Sequence, residues 1–195
     1  MRGRGVGKPK SAVAPATARQ QFAGYGQTVI LAYSGRRMQA LGGDPRVIDQ
    51  RIRRQLADLA PTAIVGAAAD GADIMVVEAA LALPVGPVVH VVLPTTREIF
   101  REDSVEPAWR HRFDALLDAV EERGGTIRTL DLEPTEDAYR RANKVILDRA
   151  AEIADADQRV TLLVVAAPGQ GQMIEDILRL AELSDVPALR IDPSA

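Results

Sequence analysis

Short apolar runs alternate with segments of helical periodicity along this chain, and that alternation limits the available folds more than any other feature of the sequence. The runs are Thr28–Tyr33, Ala63–Val65, Val88–Leu93, Thr126–Leu130, Arg159–Val165 and Ala188–Ile191. Thr28–Tyr33 is apolar throughout, as a strand covered on both faces is. Between the runs, Pro45–Ala60 sets Val47, Ile48, Ile52, Leu56 and Leu59 at helical spacing, with Asp44 placed to cap and Pro45 at the first helical position. Further helices are predicted over Ala72–Leu83, Trp109–Glu122, Ala138–Ala154 and Gln172–Leu183. Strand following helix in this way requires right-handed crossovers. The fold class is therefore α/β, a doubly wound parallel sheet with helices on both faces, whose ligand crevice lies beyond the carboxyl ends of the strands.

One core suffices for a chain of 195 residues, 47% of them hydrophobic, so a single domain is expected from residue 25 to residue 195. Residues 1–24 are rich in Gly, Ala, Pro and basic side chains and have no periodicity. They read as a disordered basic arm, either a solubilising tail or a segment that touches nucleic acid or a partner. Arg2, Arg4, Lys8, Lys10, Arg19, Arg36 and Arg37 all precede the first acidic residue, Asp44, while the net charge is −3, so the body is acidic and disfavours a broad nucleic-acid surface. The absence of cysteine removes disulfides, thiolate zinc sites and a cysteine nucleophile. His90 and His111 are too few for most zinc sites, and His90, between valines in a strand, reads as a core or interface residue. No metal or cofactor is expected. With no run long enough for a membrane helix and no signal-peptide core, the expected place is the cytoplasm, away from membrane.

Two strand-to-helix turns carry the functional reading. From Gly66 to Ala72 only Asp70 has more than a methyl group, so a ligand can lie against the backbone where the first helical amides point outward. Such a helix start attracts anions. Ala166–Gln172, with Gly169, Gln170 and Gly171, is built alike, and in a parallel sheet both turns open on one edge. Asp70 and Asp73 are candidates for a ribose hydroxyl, with helix capping the alternative for both. Arg36 can reach a phosphate. Glu175, in the first turn of its helix, either suits the dipole or steadies an oxocarbenium ion beside a bound ribose. Asn143 is a candidate for base or ribose contact, or part of an exposed helix face. Pro94–Pro107 reads as a long polar loop with Ile99 and Phe100 embedded in it, of the kind that forms lids.

Ser34-Gly35-Arg36, Gly66-x-Ala-x-Asp-Gly-Ala-Asp73 with Glu78 to Leu81, Val91-Val-Leu-Pro94 with Phe100 and Ser104-Val105, and Pro168-Gly-Gln-Gly-Gln172 with Glu175 together resemble the SLOG superfamily, named for the Smf/DprA and LOG proteins. The resemblance covers about Thr28 to Ile191. It implies a Rossmann-like fold that binds a nucleotide or nucleotide-derived molecule, with Ser34, Gly35, Arg36, Gly66, Ala69, Asp70, Gly71, Asp73, Pro94, Asn143, Gly169, Gln170, Gly171 and Gln172 as the ligand-binding set, and it implies a homodimer. In the enzymatic LOG branch the last motif is Pro-Gly-Gly-x-Gly-Thr-x-x-Glu. Here the loop is one residue shorter, Gln172 replaces the threonine, and Gly66-Ala67-Ala68 stands in place of a triple glycine. The expected function is binding or sensing of a nucleotide. Alternatives are a nucleoside 5′-monophosphate phosphoribohydrolase with Glu175 catalytic, or a DprA-like single-strand DNA binder using the arm.

Overall fold

The computed structural model describes residues 28–194, and the arm expected over residues 1–24 lies outside the described residues. Six strands, β1 (Val29–Gly35), β2 (Ala63–Gly66), β3 (Val88–Leu93), β4 (Thr126–Thr129), β5 (Arg159–Val165) and β6 (Ala188–Ile191), form one sheet in the order β4-β3-β2-β1-β5-β6. Every pairing is parallel. Chain order reverses between β1 and β5, which pair along their whole length from Val29 opposite Arg159 to Gly35 opposite Val165. Such a reversal splays the connections to either side and opens a crevice at the carboxyl ends.

Helices α1 (Met38–Leu41), α2 (Pro45–Leu59), α3 (Ala72–Leu81), α4 (Arg97–Ser104), α5 (Arg110–Glu122), α6 (Glu136–Ile153) and α7 (Gln172–Leu183) cover both faces. Alternate strand residues supply two cores. Leu31, Tyr33, Ile64, Val91 and Leu163 meet Ile48, Ile52 and Leu56 of α2 and Phe113 and Leu117 of α5. Ile30, Ala32, Val65, Leu162 and Val164 meet Ile146 and Ala150 of α6 and Ile174 and Ile177 of α7. This two-sided burial is why the strands read as continuous apolar runs rather than alternating ones. The α2 contacts recur at i, i+4 and i+8 and are fully buried, each contributing about 1.5–3 kcal/mol by removal from water. Asp44 Oδ1 accepts from Arg46 N at 2.9 Å, and Pro45 follows it, as capping chemistry requires.

The stretch from Pro94 to Pro107, expected as a loop, contains helix α4. Thr96 caps it, its hydroxyl accepting from Ile99 N at 3.3 Å, and Phe100 is buried with its ring centroid 6.0 Å from that of Phe113. A helix of two turns that buries only Phe100 and Ser104 has too few apolar positions to register as a period. His90 lies mid-strand with Nδ1 2.8 Å from Thr126 Oγ1 on the neighbouring strand, and burial together with the charge of Arg149 lowers its pKa. Among the described residues no helix is long and apolar enough to cross a membrane.

Candidate functional site

A cavity of about 300 Å³ opens at the carboxyl end of β1, beside the reversal of strand order. Ser34 and Gly35 end the strand, and Arg36, Arg37, Gln39 and Ala40 continue round one side. Ala67, Ala69 and Asp73 come from the β2–α3 connection, Pro94 from the end of β3, and Phe100 and Ser104 from α4. Helix α6 presents Tyr139, Ala142, Asn143 and Ile146, and the start of α7 adds Met173 and Ile174. Helix α4 thus covers the crevice, joined to α6 by a hydrogen bond of 2.7 Å between the Ser104 and Tyr139 hydroxyls.

The bare backbone after β2 is covered by the protein itself. A Cβ on Gly66 would enter the ring of Tyr33, whose hydroxyl donates to Ala67 O at 2.7 Å. Gly71, at φ +91°, lies where a Cβ would come within 2.5 Å of Met38 N, and Ala72 N donates to Arg36 O at 3.1 Å. These glycines make room for the connection after β1, and the α3 terminus offers no open cradle for phosphate. Asp70 differs from expectation in the same sense. Its fully buried carboxylate accepts from Arg37 Nη2 at 2.9 Å, Met38 N at 3.0 Å and Glu106 N at 2.8 Å. It ties three connections together and does not line the cavity. The hydrogen bond from Arg37 to Asp70 in turn raises the guanidinium pKa.

Asp73 does line the cavity, and it does not cap its helix: Gly71 is the cap residue and no side chain caps there. Its side chain folds back toward the Ala69 and Gly35 amides, which favour the ionised form. Burial opposes them more strongly, and with a smaller push from Asp70 it brings the pKa up to about 7. Burial, with the nearby Asp73 charge, also raises the Tyr33 phenol well above its ordinary value. Asp73 Oδ1 and Arg36 Nε are both buried without a hydrogen-bond partner among the described residues. Arg36 has no ion pair there either, although its neighbour Arg37 is fully engaged.

The second turn keeps its amides open. Gly169 and Gly171 take φ +71° and +88°, and Ile174 N and Glu175 N both bond back to Gly171 O. The N–H groups of Gly171, Gln172 and Met173 have no partner among the described residues. The Arg36 guanidinium packs against the Gly171 α-carbon so closely that a Cβ there would overlap Nη1. The free cation and the positive end of α7 therefore adjoin each other. Gly169, Gln170 and Gln172 are exposed beside the cavity and do not line it. Asn143 lines it, with its Nδ2 donating to Met173 O at 3.0 Å and Asp176 Oδ2 at 3.3 Å, which ties α6 to α7. Glu175 is exposed and faces a separate groove with Arg179 and Glu182, so it does not stand beside the cavity as a catalytic carboxylate must.

Of the expected ligand residues, then, Ser34, Gly35, Arg36, Ala69, Asp73, Pro94 and Asn143 meet in one cavity, while Gly66, Asp70 and Gly71 serve packing. Tyr139, Ile146, Met173 and Ile174 also line it, without having stood out in the sequence. Tyr139, Ala142, Asn143 and Ile146 form an i, i+3, i+4, i+7 stripe, the pattern of any core-facing helix. Only the polar tips of Tyr139 and Asn143 mark that stripe as different. Among the described residues no group of three or more His, Cys, Asp or Glu side chains is placed to hold a metal. No family model, curated protein or solved structure matches the chain.

Proposed function

We propose that this protein binds a small phosphorylated ligand of mononucleotide type in the crevice at the β1–β5 reversal, as a binding or sensing domain. The observation that carries the reading is Arg36. A guanidinium without a carboxylate partner among the described residues, its Nε buried and its Nη1 against Gly171 at the start of α7, suits an anion of the size and charge of phosphate. The cavity volume, about 300 Å³, is at the lower end for small-molecule sites and suits one nucleotide better than a dinucleotide or a strand. Phe100, Ile146, Met173 and Ile174 give its walls an apolar surface for a sugar and base.

Glu175, the carboxylate expected to act in N-glycosidic cleavage, faces another groove, so the geometry lends its catalytic role no support and the reading stays with binding. The test is thermal denaturation with adenosine and guanosine monophosphates, ribose 5-phosphate and inorganic phosphate. A ligand at 100 times its Kd stabilises by about 2.7 kcal/mol, a rise of about 5–10 °C for a chain of this size. Arg36→Ala should remove that rise. Equal shifts in both proteins, or none with any phosphorylated compound, would refute the reading.

A further inference from the structure

Arg36 accounts for one end of the cavity, and a second buried group there has an oxygen without a partner among the described residues. Asp73 is 5% exposed, lines the same cavity, and keeps Oδ1 without a donor. A buried carboxylate oxygen with no partner is rare because it forfeits hydration without return. What Oδ1 lacks is a hydrogen-bond donor reaching it from the cavity. The described residues supply none: Tyr33 OH donates to Ala67 O, Arg37 is bound to Asp70, and Asn143 Nδ2 is directed to α7.

We infer that Asp73 accepts a hydrogen bond from a sugar hydroxyl of the phosphorylated ligand, so that the site selects ribose phosphates over their deoxy counterparts. The inference rests on the proposed function for the presence of a phosphate and adds the group that reads the sugar. Geometry favours a hydroxyl over a cationic donor. A cationic donor would bring a second positive charge into a cavity that the Arg36 side chain already lines. A neutral hydroxyl satisfies Oδ1 without that repulsion. A site that has committed a buried acceptor to a substrate hydroxyl rejects the analogue lacking it, because the acceptor is then left unpaired.

The experiment is calorimetric titration of the full chain with adenosine 5′-monophosphate and with its 2′-deoxy and 3′-deoxy forms, for wild type, Asp73→Ala, Asp73→Asn and Arg36→Ala. Wild type should bind at least one deoxy form about 10- to 100-fold more weakly than the ribonucleotide. Asp73→Ala should bind all three alike, and Asp73→Asn, which keeps a carbonyl acceptor, should retain part of the difference. Asp73→Ala takes the carboxyl away from the Ala69 and Gly35 amides, so circular dichroism verifies that each variant is folded before it is titrated, and Asp73→Asn, which keeps an acceptor there, holds the comparison if the alanine variant is not. The inference is overturned if wild type holds all three nucleotides within twofold, if Asp73→Ala discriminates as wild type does, or if no nucleotide binds. Failure of the phosphate reading has a different signature. Arg36→Ala would then bind as tightly as wild type while the hydroxyl preference stayed with Asp73.

Discussion

Asp73→Asn should stabilise the protein, and by an amount that depends on pH. The folded carboxyl holds its proton until about pH 7, whereas the ordinary value is 3.8. Between those two pH values the native state binds more protons than the unfolded state, so stability falls as pH rises, and the loss is complete above the folded value. Below pH 3.8 both states are protonated and the residue contributes no pH dependence. At 1.36 kcal/mol per pH unit the full difference is a ceiling of about 4 kcal/mol. Asparagine is close in shape to the protonated carboxyl and does not titrate, so it carries no such loss. The variant should therefore match wild type near pH 4 and exceed it by about 2–4 kcal/mol at pH 8, on the order of 5–10 °C in Tm.

The assay is thermal denaturation of both proteins every half pH unit from 4 to 8.5, without ligand. Other groups titrate in both proteins, so the difference between the curves isolates Asp73. Asp70, the neighbouring carboxylate, is anchored by Arg37 and two backbone amides in both proteins. Arg53 of α2 and Arg112 of α5 act at Glu78, and Arg123 reaches Leu81 O, all farther along α3. Tyr33, its phenol raised by burial, does not ionise in this window. Parallel melting curves across the whole pH range would refute the reasoning, because they would mean that Asp73 is ionised in the native state at no cost.

Gly66→Ala should cost about 1–3 kcal/mol by denaturant titration, because its methyl group enters the ring of Tyr33, which is itself fully buried and cannot retreat. Asp70→Asn should cost about 2–4 kcal/mol, since one amide cannot accept from Arg37, Met38 N and Glu106 N together, and hydrogen exchange should then rise in α4 and the connection after β1. Gly171→Glu should leave the fold intact by circular dichroism yet weaken phosphate binding at least tenfold, because the new carboxylate takes the place of the anion beside Arg36. Nucleotide affinity unaltered in that variant would show that α7 and Arg36 are not the anion site.

The sheet was legible because each strand is buried on two faces and each helix on one, which imprints a local pattern on the sequence. Val88–Leu93, Arg159–Val165, Gln172–Leu183 and Ala188–Ile191 have the bounds their periodicity implies. The site was legible only in part, since its chemistry depends on neighbours distant in the chain. A run such as Gly66–Ala72 is equally suited to a ligand and to another piece of protein, and the deciding neighbours, Tyr33 and the Arg36–Met38 backbone, lie some thirty residues earlier. Asp70 and Asp73 have similar local sequence, yet one faces Arg37 and two amides while the other faces the cavity. Helix α4 and the α6 stripe escaped for a related reason. A helix that lines a cavity and a helix that lines a core bury the same positions.

The two arginines and two aspartates at the mouth of the crevice are an instance in which pairing is more informative than composition. Four such charges allow two ion pairs, and a chain under pressure for stability alone has reason to form both or to replace one pair with apolar residues. Here Arg37 and Asp70 are joined at 2.9 Å, while no ion pair among the described residues joins Arg36 to Asp73, although both line one cavity. An unpaired guanidinium and a carboxyl kept largely desolvated each lower stability, and stability-lowering groups that share a cavity are where ligand recognition is found. On the proposed reading, a ligand that satisfies both carries its anion and its hydrogen-bond donor at different points. A sugar phosphate has that arrangement, and inorganic phosphate does not. Inorganic phosphate should accordingly bind through Arg36 with an affinity insensitive to Asp73→Ala, whereas ribose 5-phosphate should bind more tightly and lose that advantage in the same variant.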